Sequence, residues 1–423
     1  MIMERVVGAD KDALRESCDV LRKEKDMPGS SSHGRKVYRI ALLMQADQVH
    51  ARRLFRGVGE YSRPLRAWNF HLGLPHPDVL RQLRRWKPAG ILAMVADTTL
   101  ENRLLALRIP LVNCSSDAEG KGVHRVQLDN VAVGRMAAEH FLSRGFRHLA
   151  FCGEPMKLAS RNRWTGFSAA AGEAKLDCRQ YLHPRAVVLS GRVGWQWTSR
   201  DRRLQAWVRG LPKPVGLLAS HDGVALLLAE VCREIGVRIP EDVSLLGVDN
   251  DEMLCEMSYP TLSSVATPQQ RIGFLAAHLL DRLLRGERIQ PRTHLLRPVS
   301  VVVRQSSDIL ATDDPVAVAA MRFIREHADA SIRVSDVAEA VPLSRRSLET
   351  RFRSRFGLSL LEAIQQVHVD QAKAMLRQTR LSLEQIAEIT GFNSRERFSR
   401  VFRQMTGETP GAYRRQLAAA GNA

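Results

Sequence analysis

Redox and metal chemistry find little support in this sequence. Its six cysteines, at Cys18, Cys114, Cys152, Cys178, Cys232 and Cys255, never fall in C-x-x-C spacing. Neither a disulfide framework nor a zinc site is therefore expected. Cys114 and Cys152 sit in apolar runs, "LVNC" and "LAFCG", where a thiol serves as a small hydrophobe. Thirteen histidines show no ligand spacing, so no metal is expected. No apolar run reaches the ~18 residues of a membrane span, and the charged N-terminus lacks a signal-peptide core. The expectation is a cytoplasmic protein without a membrane partner.

Catalytic signatures are missing as well. There is no P-loop, no G-x-S-x-G elbow and no H-E-x-x-H, and no catalytic residue is expected. The nearest dinucleotide fingerprint, "GVGEYS" at Gly57–Ser62, lacks a third glycine and lies inside a helical pattern well past the first strand. Acid is also scarce relative to base. Lys and Arg number 63 against 45 Asp and Glu, a net charge of +18. The pI of about 10.3 favours a polyanionic partner such as nucleic acid.

At roughly 100–200 residues per domain, 423 residues allow two or three domains. Residues 1–35 alternate charges and end in "MPGSSSHGRK", which reads as a flexible leader, with Met27 an alternative start. From Val37 short apolar runs follow one another: "VYRIALLM", "GILAMV", "IPLVNC", "HLAFCG", "AVVL", "VGLLAS" and "VSLLGVD". Helical patterns lie between them over Val131–Arg144, Arg163–Leu176, Val224–Ile235 and Gln269–Leu284. Strands alternating with helices predict parallel sheets covered on both faces. The number of units predicts two α/β lobes. "SSDILATDDP" breaks the pattern at 306–315, so 36–306 is expected to form the α/β unit and 307–315 a linker. Residues 316–423 are expected to be all-helical.

Two similar blocks occupy that last segment, "VSDVAEAVPLSRRSLETRFRSRFG" (Val334–Gly357) and "LSLEQIAEITGFNSRERFSRVFRQMTG" (Leu381–Gly407). Each offers a short helix, a tight break and a second helix opening at a capping serine, Ser344 or Ser394. Leu348, Phe352 and Phe356 turn one face inward, as do Phe398, Phe402 and Met405. That leaves Arg345, Arg346, Glu349, Thr350 and Arg353 facing outward from one helix. Arg395, Glu396, Ser399, Arg400 and Arg403 face outward from the other. A packed inner stripe with cationic side chains outside is the pattern of a helix-turn-helix unit reading a major groove. Arginine suits guanine O6 and N7 bidentately and phosphates electrostatically. A helical bundle with a solvated basic face is the competing reading. Two blocks with their serines at matching positions disfavour it.

The stretch "LEQIAEITGFNSRERFSRVFRQMTGETPGAYRR" resembles the C-terminal signature of AraC-type transcription regulators. The resemblance rests on Ile386, Ala387, Gly391, Phe392, Phe398, Arg400, Phe402, Gly407, Pro410, Tyr413 and Arg414. It implies a linker helix, here Leu361–Arg377, that sets two recognition helices in successive major grooves of double-stranded promoter DNA. The first turn departs from the family, with Pro342 where glycine is common. Farther upstream, "GVRIPEDVSLLGVDNDEMLCEMSYPTLSSV", "VQLDNVAVGRMAAEHFLSRGFRHLAFCG" and "RWTGFSAA" resemble the periplasmic-binding-protein-like sensor of lac-repressor-type regulators. That resemblance implies a sugar held between two lobes by Asp129, Arg163, His221, Asp222 and Asp249, with Gln45 and Asp47 as further cleft residues. Carboxylates accept from sugar hydroxyls and arginine donates to them. Trp68, Trp164, Trp195 and Trp197 are candidates for a stacking ring.

A sensor of this kind before an AraC-type domain resembles the regulators of pentose operons. It implies a homodimer, a sugar effector of pentose type with xylose first, no other cofactor, and RNA polymerase as a partner if the protein is an activator. The alternative from another class is an α/β enzyme on a sugar or nicotinamide substrate with a DNA-binding appendage. A regulator whose sensor only dimerises is a third reading.

Overall fold

The computed structural model describes residues 37–421 except 47, 183–198, 310–313, 357 and 380. The leader, Asp47, Trp195, Trp197, the "AVVL" run and Asp313 lie outside the described residues.

The first lobe begins with β1 (Tyr38–Leu43), α1 (Val49–Leu65), β2 (Trp68–Gly73), α2 (Val79–Trp86), β3 (Gly90–Ala93), α3 (Thr98–Leu105), β4 (Leu111–Asn113) and β5 (His124–Leu128). The chain then crosses into the second lobe, with α4 (Asn130–Leu142), β6 (His148–Gly153), α5 (Leu158–Glu173), β7 (Cys178–Leu182), α6 (Arg202–Arg209), β8 (Val215–Ala219), α7 (Asp222–Glu234), β9 (Val243–Val248), α8 (Glu252–Met257) and β10 (Ser263–Ala266). It returns through α9 (Gln269–Leu284) and β11 (Thr293–Leu296), and crosses once more into β12 (Ser300–Val302). The sheets run in the orders β11-β5-β4-β3-β1-β2 and β12-β10-β9-β8-β6-β7. Every pairing is parallel except β10 with β12. Three chain crossings therefore join the lobes.

The interior strands follow from composition. Every residue of β3, β8 and β9 is buried, and their near-continuous apolar runs suit strands covered by helices on both faces. Edge strands differ. In β2, "WNFHLG", Asn69, Phe70 and Leu72 are exposed, so the apolar-run signal that marks interior strands is weak there.

The helical domain comprises α10 (Pro315–Glu326), α11 (Val334–Glu339), α12 (Arg345–Phe356), α13 (Leu360–Gln378), α14 (Leu383–Ile389), α15 (Arg395–Thr406) and α16 (Pro410–Gly421). Its buried side chains fall into two cores, the first continuous with the core of the lobes. Val337, Val341, Leu348, Phe352 and Phe356 pack with Ala320 and Ile324 of α10 in the first. Ile386, Ala387, Phe392, Phe398, Val401 and Phe402 make the second. Leu360, Ala363 and Ile364 of α13 enter the first core, and Val369, Ala372 and Leu376 enter the second. Each fully buried Phe contributes roughly 1.5–3 kcal/mol, so these rings fix the recognition helices against α13. No described helix is long and apolar enough to cross a membrane.

Candidate functional site

Open parallel sheets bind ligands beyond the carboxyl ends of their strands. The residues that follow those ends are Gln45 after β1, Asp129 after β5, Glu154 after β6, His221 after β8 and Asp249 after β9. Arg163 reaches the same place from α5. It can do so because α4 and α5 touch backbone to backbone. A Cβ on Gly134 would stand 1.9 Å from the Arg163 carbonyl oxygen, and one on Gly166 would stand 1.9 Å from that of Val131. Only glycine fits either position.

Arg163 is 7% exposed. Its Nε donates to Asn130 Oδ1 at 2.8 Å, one Nη donates to the Ser220 carbonyl oxygen, and Nη2 lies 3.8 Å from Asp249 Oδ1. His221 Nε2 stands 3.4 Å from Glu154 Oε2, whose side chain is only 4% exposed. His50, in the first turn of α1, completes the cluster. Burial lowers its pKa below the ordinary histidine range, Asp249 opposes that shift, and His221, Arg163 and Lys157 reinforce it. The cluster thus combines carboxylate acceptors with a fixed guanidinium donor, the set that suits a neutral polyol.

The other expected residues take different positions. Asp222 is buried beneath the Asp249 turn, where Oδ1 accepts from Ser264 Oγ at 2.6 Å and Oδ2 from the Asp251 amide at 2.7 Å. Burial first, and Asp249 second, raise its pKa to about 8, against the two hydrogen bonds that lower it, so its role is to hold the turn. Asp129 accepts from the Ala132 amide at 2.9 Å and caps α4. It also lines a cavity of about 280 Å³ with Gln127, Asn130, Asn162 and Thr293. Gln45 Oε1 accepts from Gln48 at 2.7 Å. Trp68 packs with Tyr61 and Phe70, and Trp164 with Phe151. Among the described residues, no metal-holding cluster forms.

Sequence reasoning missed His50, Arg53, Asn130 and Glu154. Arg53, on α1 in the first lobe, donates to the carbonyl oxygens of Asp249 at 2.7 Å and Asn250 at 2.6 Å in the second. No local pattern announces a contact across 196 positions of chain. "LDN" at 128–130 did carry a signal, since Asn130 adjoins the expected Asp129.

The second surface is cationic. On α12, Arg345, Arg346, Thr350 and Arg353 are exposed; on α15, Arg395, Glu396, Arg400 and Arg403 are exposed. Glu349 and Ser399 are half-buried. Ser344 accepts from the Ser347 amide at 3.4 Å, and Ser394 from the Arg397 amide at 3.2 Å. Arg345 pairs with Glu349 at 3.0 Å and Arg395 with Glu384 at 2.5 Å. The side chains of Arg346, Arg400 and Arg403 form no ion pair with described residues, leaving them available to an anion. The two turns close differently. Gly391 adopts φ +72°, and the Phe392 amide donates back to the Ala387 carbonyl. The Pro342 turn has no described residue at positive φ and closes with the Leu343 amide donating to Val341. Proline therefore fits there without the conformation it forbids.

Family models match both the α/β part and the helical part of the chain. The Periplasmic binding protein-like domain matches residues 138–307, the Helix-turn-helix domain 337–416 and the XylR N-terminal domain 39–132. The Xylose operon regulatory protein of Escherichia coli K12 is 31% identical over 389 residues, covering 90% of this chain and 97% of that protein. Its counterpart in Haemophilus influenzae is 29% identical over 387 residues, covering 89% and 98%. A solved structure of a xylose-binding transcription activator superposes with a TM-score of 0.72 at 30% identity, covering 90% of this chain and 98% of that one.

Proposed function

Since this chain belongs to the family of xylose operon regulatory proteins, we propose that it is a xylose-responsive activator of a xylose utilisation operon. The family is one of transcription regulators, not of enzymes. Xylose binds between the lobes, with the Asp249 carboxylate accepting from its hydroxyls and Arg163 donating to them. His221 and Gln45 complete the contacts, and Asp129 and Asp222 shape the site from behind. The observation that carries the sugar reading is the meeting of Arg163 and Asp249 in the second lobe, where Arg53 of the first lobe donates to the Asp249 carbonyl.

Double-stranded promoter DNA is the other partner. α12 and α15 enter successive major grooves, Arg346, Arg400 and Arg403 supply base and phosphate contacts, and the capping serines orient the first turns. The protein acts in the cytoplasm as a homodimer that presents four recognition helices to a long repeated operator and recruits RNA polymerase. Residues 36–306 form the sensor, 307–315 the linker and 316–423 the DNA-binding domain.

The test is a thermal-shift panel of pentoses and hexoses followed by titration of promoter duplex. D-xylose at a hundred times its Kd is expected to stabilise the protein by roughly 2.7 kcal/mol and to change its binding to promoter DNA. A melting point indifferent to every sugar would leave the sensor reading without support. Indifference to duplex DNA at modest salt would remove the regulator reading altogether.

A further inference from the structure

We propose that the Asp249–Asn250 turn is the element through which sugar binding reaches the DNA-binding domain, with Arg53 and Arg304 as its positioning residues. The inference rests on the sugar-responsive reading and adds the route inside the chain.

The turn is conformationally strained. Asp249 has φ +101° and Asn250 φ +48°, conformations that non-glycine residues keep only where their surroundings hold them. Three bonds within the second lobe do so. The Asp249 amide donates to the Val265 carbonyl at 3.0 Å, the Asn250 amide to Ser264 Oγ at 2.9 Å, and the Asp251 amide to Asp222 at 2.7 Å.

Two arginines then approach the turn from different parts of the molecule. Arg53 donates from α1 of the first lobe to both carbonyl oxygens of the turn, at 2.7 and 2.6 Å. These charge-assisted bonds exist only while the lobes are drawn together, so they register closure. Arg304 donates to Asn250 Oδ1 and to the Leu262 carbonyl, each at 2.9 Å.

Arg304 stands where the chain leaves the sensor. Its backbone amide donates to Ser263 Oγ at 2.7 Å, and the next residues form a single 3-10 turn, Gln305–Ser307. Ser306 Oγ donates to the Leu245 carbonyl at 2.7 Å, and Ser307 Oγ lies 2.9 Å from the His140 ring. Beyond it, Asp314 caps α10 and accepts from Arg351 of α12 at 2.5 Å. Arg325 of α10 lies 3.4 Å from Glu241 of the second lobe.

One turn thus presents its carboxylate to the cleft, its carbonyls to the opposite lobe and an amide side chain to the exit segment. A sugar that favours closure favours the Arg53 bonds. Those bonds fix the Asn250 side chain, which sets Arg304 and the path into α10 and α12. Such a shift needs sugar to prefer one of two states, and the coupling must be reciprocal.

The experiment measures the dissociation constant for promoter duplex with and without saturating D-xylose, and that for D-xylose with and without duplex. It uses the full-length wild type, Arg304→Met, Arg53→Met and the double variant. Wild type is expected to show equal coupling factors in both directions. Arg304→Met is expected to keep its DNA-free xylose affinity within about threefold while its coupling factor falls at least fivefold. The double variant is expected to lose no more coupling than Arg304→Met alone, because the residues act in series. If Arg304→Met melts early, Arg304→Lys replaces it; retaining charge but not the two-pronged reach, it must also lose coupling. Undiminished coupling in the Arg304 and Arg53 variants, with wild type coupled, overturns the inference alone. A wild type whose DNA binding ignores xylose overturns the functional reading and this inference with it.

Discussion

Replacing Gly391 by alanine tests whether the second turn sets the recognition helix as described. Two costs combine there. The backbone at φ +72° costs an L-residue roughly 1–2 kcal/mol. A Cβ would also stand 2.5 Å from the Ala330 carbonyl oxygen and 2.9 Å from His368 Cε1. The oxygen is backbone, so relief requires moving the segment before α11 away from the turn, at about 1–3 kcal/mol for overpacking. Gly407 is the control. Its φ is +83°, and a Cβ there meets nothing within 4 Å, so Gly407→Ala bears only the first cost. The difference between the variants is therefore about 2 kcal/mol, near thirtyfold in an equilibrium constant. All six tryptophans lie at or before Trp207, so their fluorescence does not report on this domain. Amide hydrogen exchange over residues 395–406 does, through the opening free energy of α15. Equal losses in the two variants would refute the claim that the Ala330 contact holds the turn.

Three further outcomes are expected. Asp222 has a folded pKa raised to about 8, so its contribution to stability is full below its unfolded value near ~4 and is lost as pH rises through about 8. Asp222→Asn should flatten that decline in urea midpoints measured from pH 5 to 9, and parallel profiles for the two proteins would contradict it. Arg400→Ala should weaken promoter binding by roughly 1–3 kcal/mol if the residue reads a base, leaving xylose titration unchanged; loss of sugar affinity would contradict modular sites. Asp249→Asn keeps the turn's backbone but removes the carboxylate charge, and calorimetry should find xylose affinity reduced at least tenfold with promoter binding in the absence of sugar intact.

Interior features were the legible ones. β1, β3, β4, β6, β8 and β9 coincide with the apolar runs because both faces of each strand are covered. The helical pattern over Gln269–Leu284 matches α9 to the residue, and that over Leu361–Arg377 matches α13 to within one residue at each end. β2, β5, β7, β10, β11 and β12 left weaker traces, being edge strands, short strands at the lobe crossings, or, like "HRVQL" of β5, buried strands rich in polar residues. Gly57, discounted as a nucleotide fingerprint, lies in α1, where a Cβ would stand 1.8 Å from the Gln270 carbonyl oxygen of α9. Within the cleft, Arg163 and Asp249 were legible through their flanking motifs. Arg53 and His50 were not, because their surroundings exist only once two lobes face each other.

The division of α13 between two cores has a geometric consequence for any DNA the protein meets. At 1.5 Å per residue its 19 residues span about 28 Å, slightly less than one turn of the double helix. One helix braces both cores, so the placing of α12 relative to α15 is set through α13. Five base pairs inserted between the two subsites would carry the second to the far side of the duplex, and a full turn's insertion would restore the face but exceed the span.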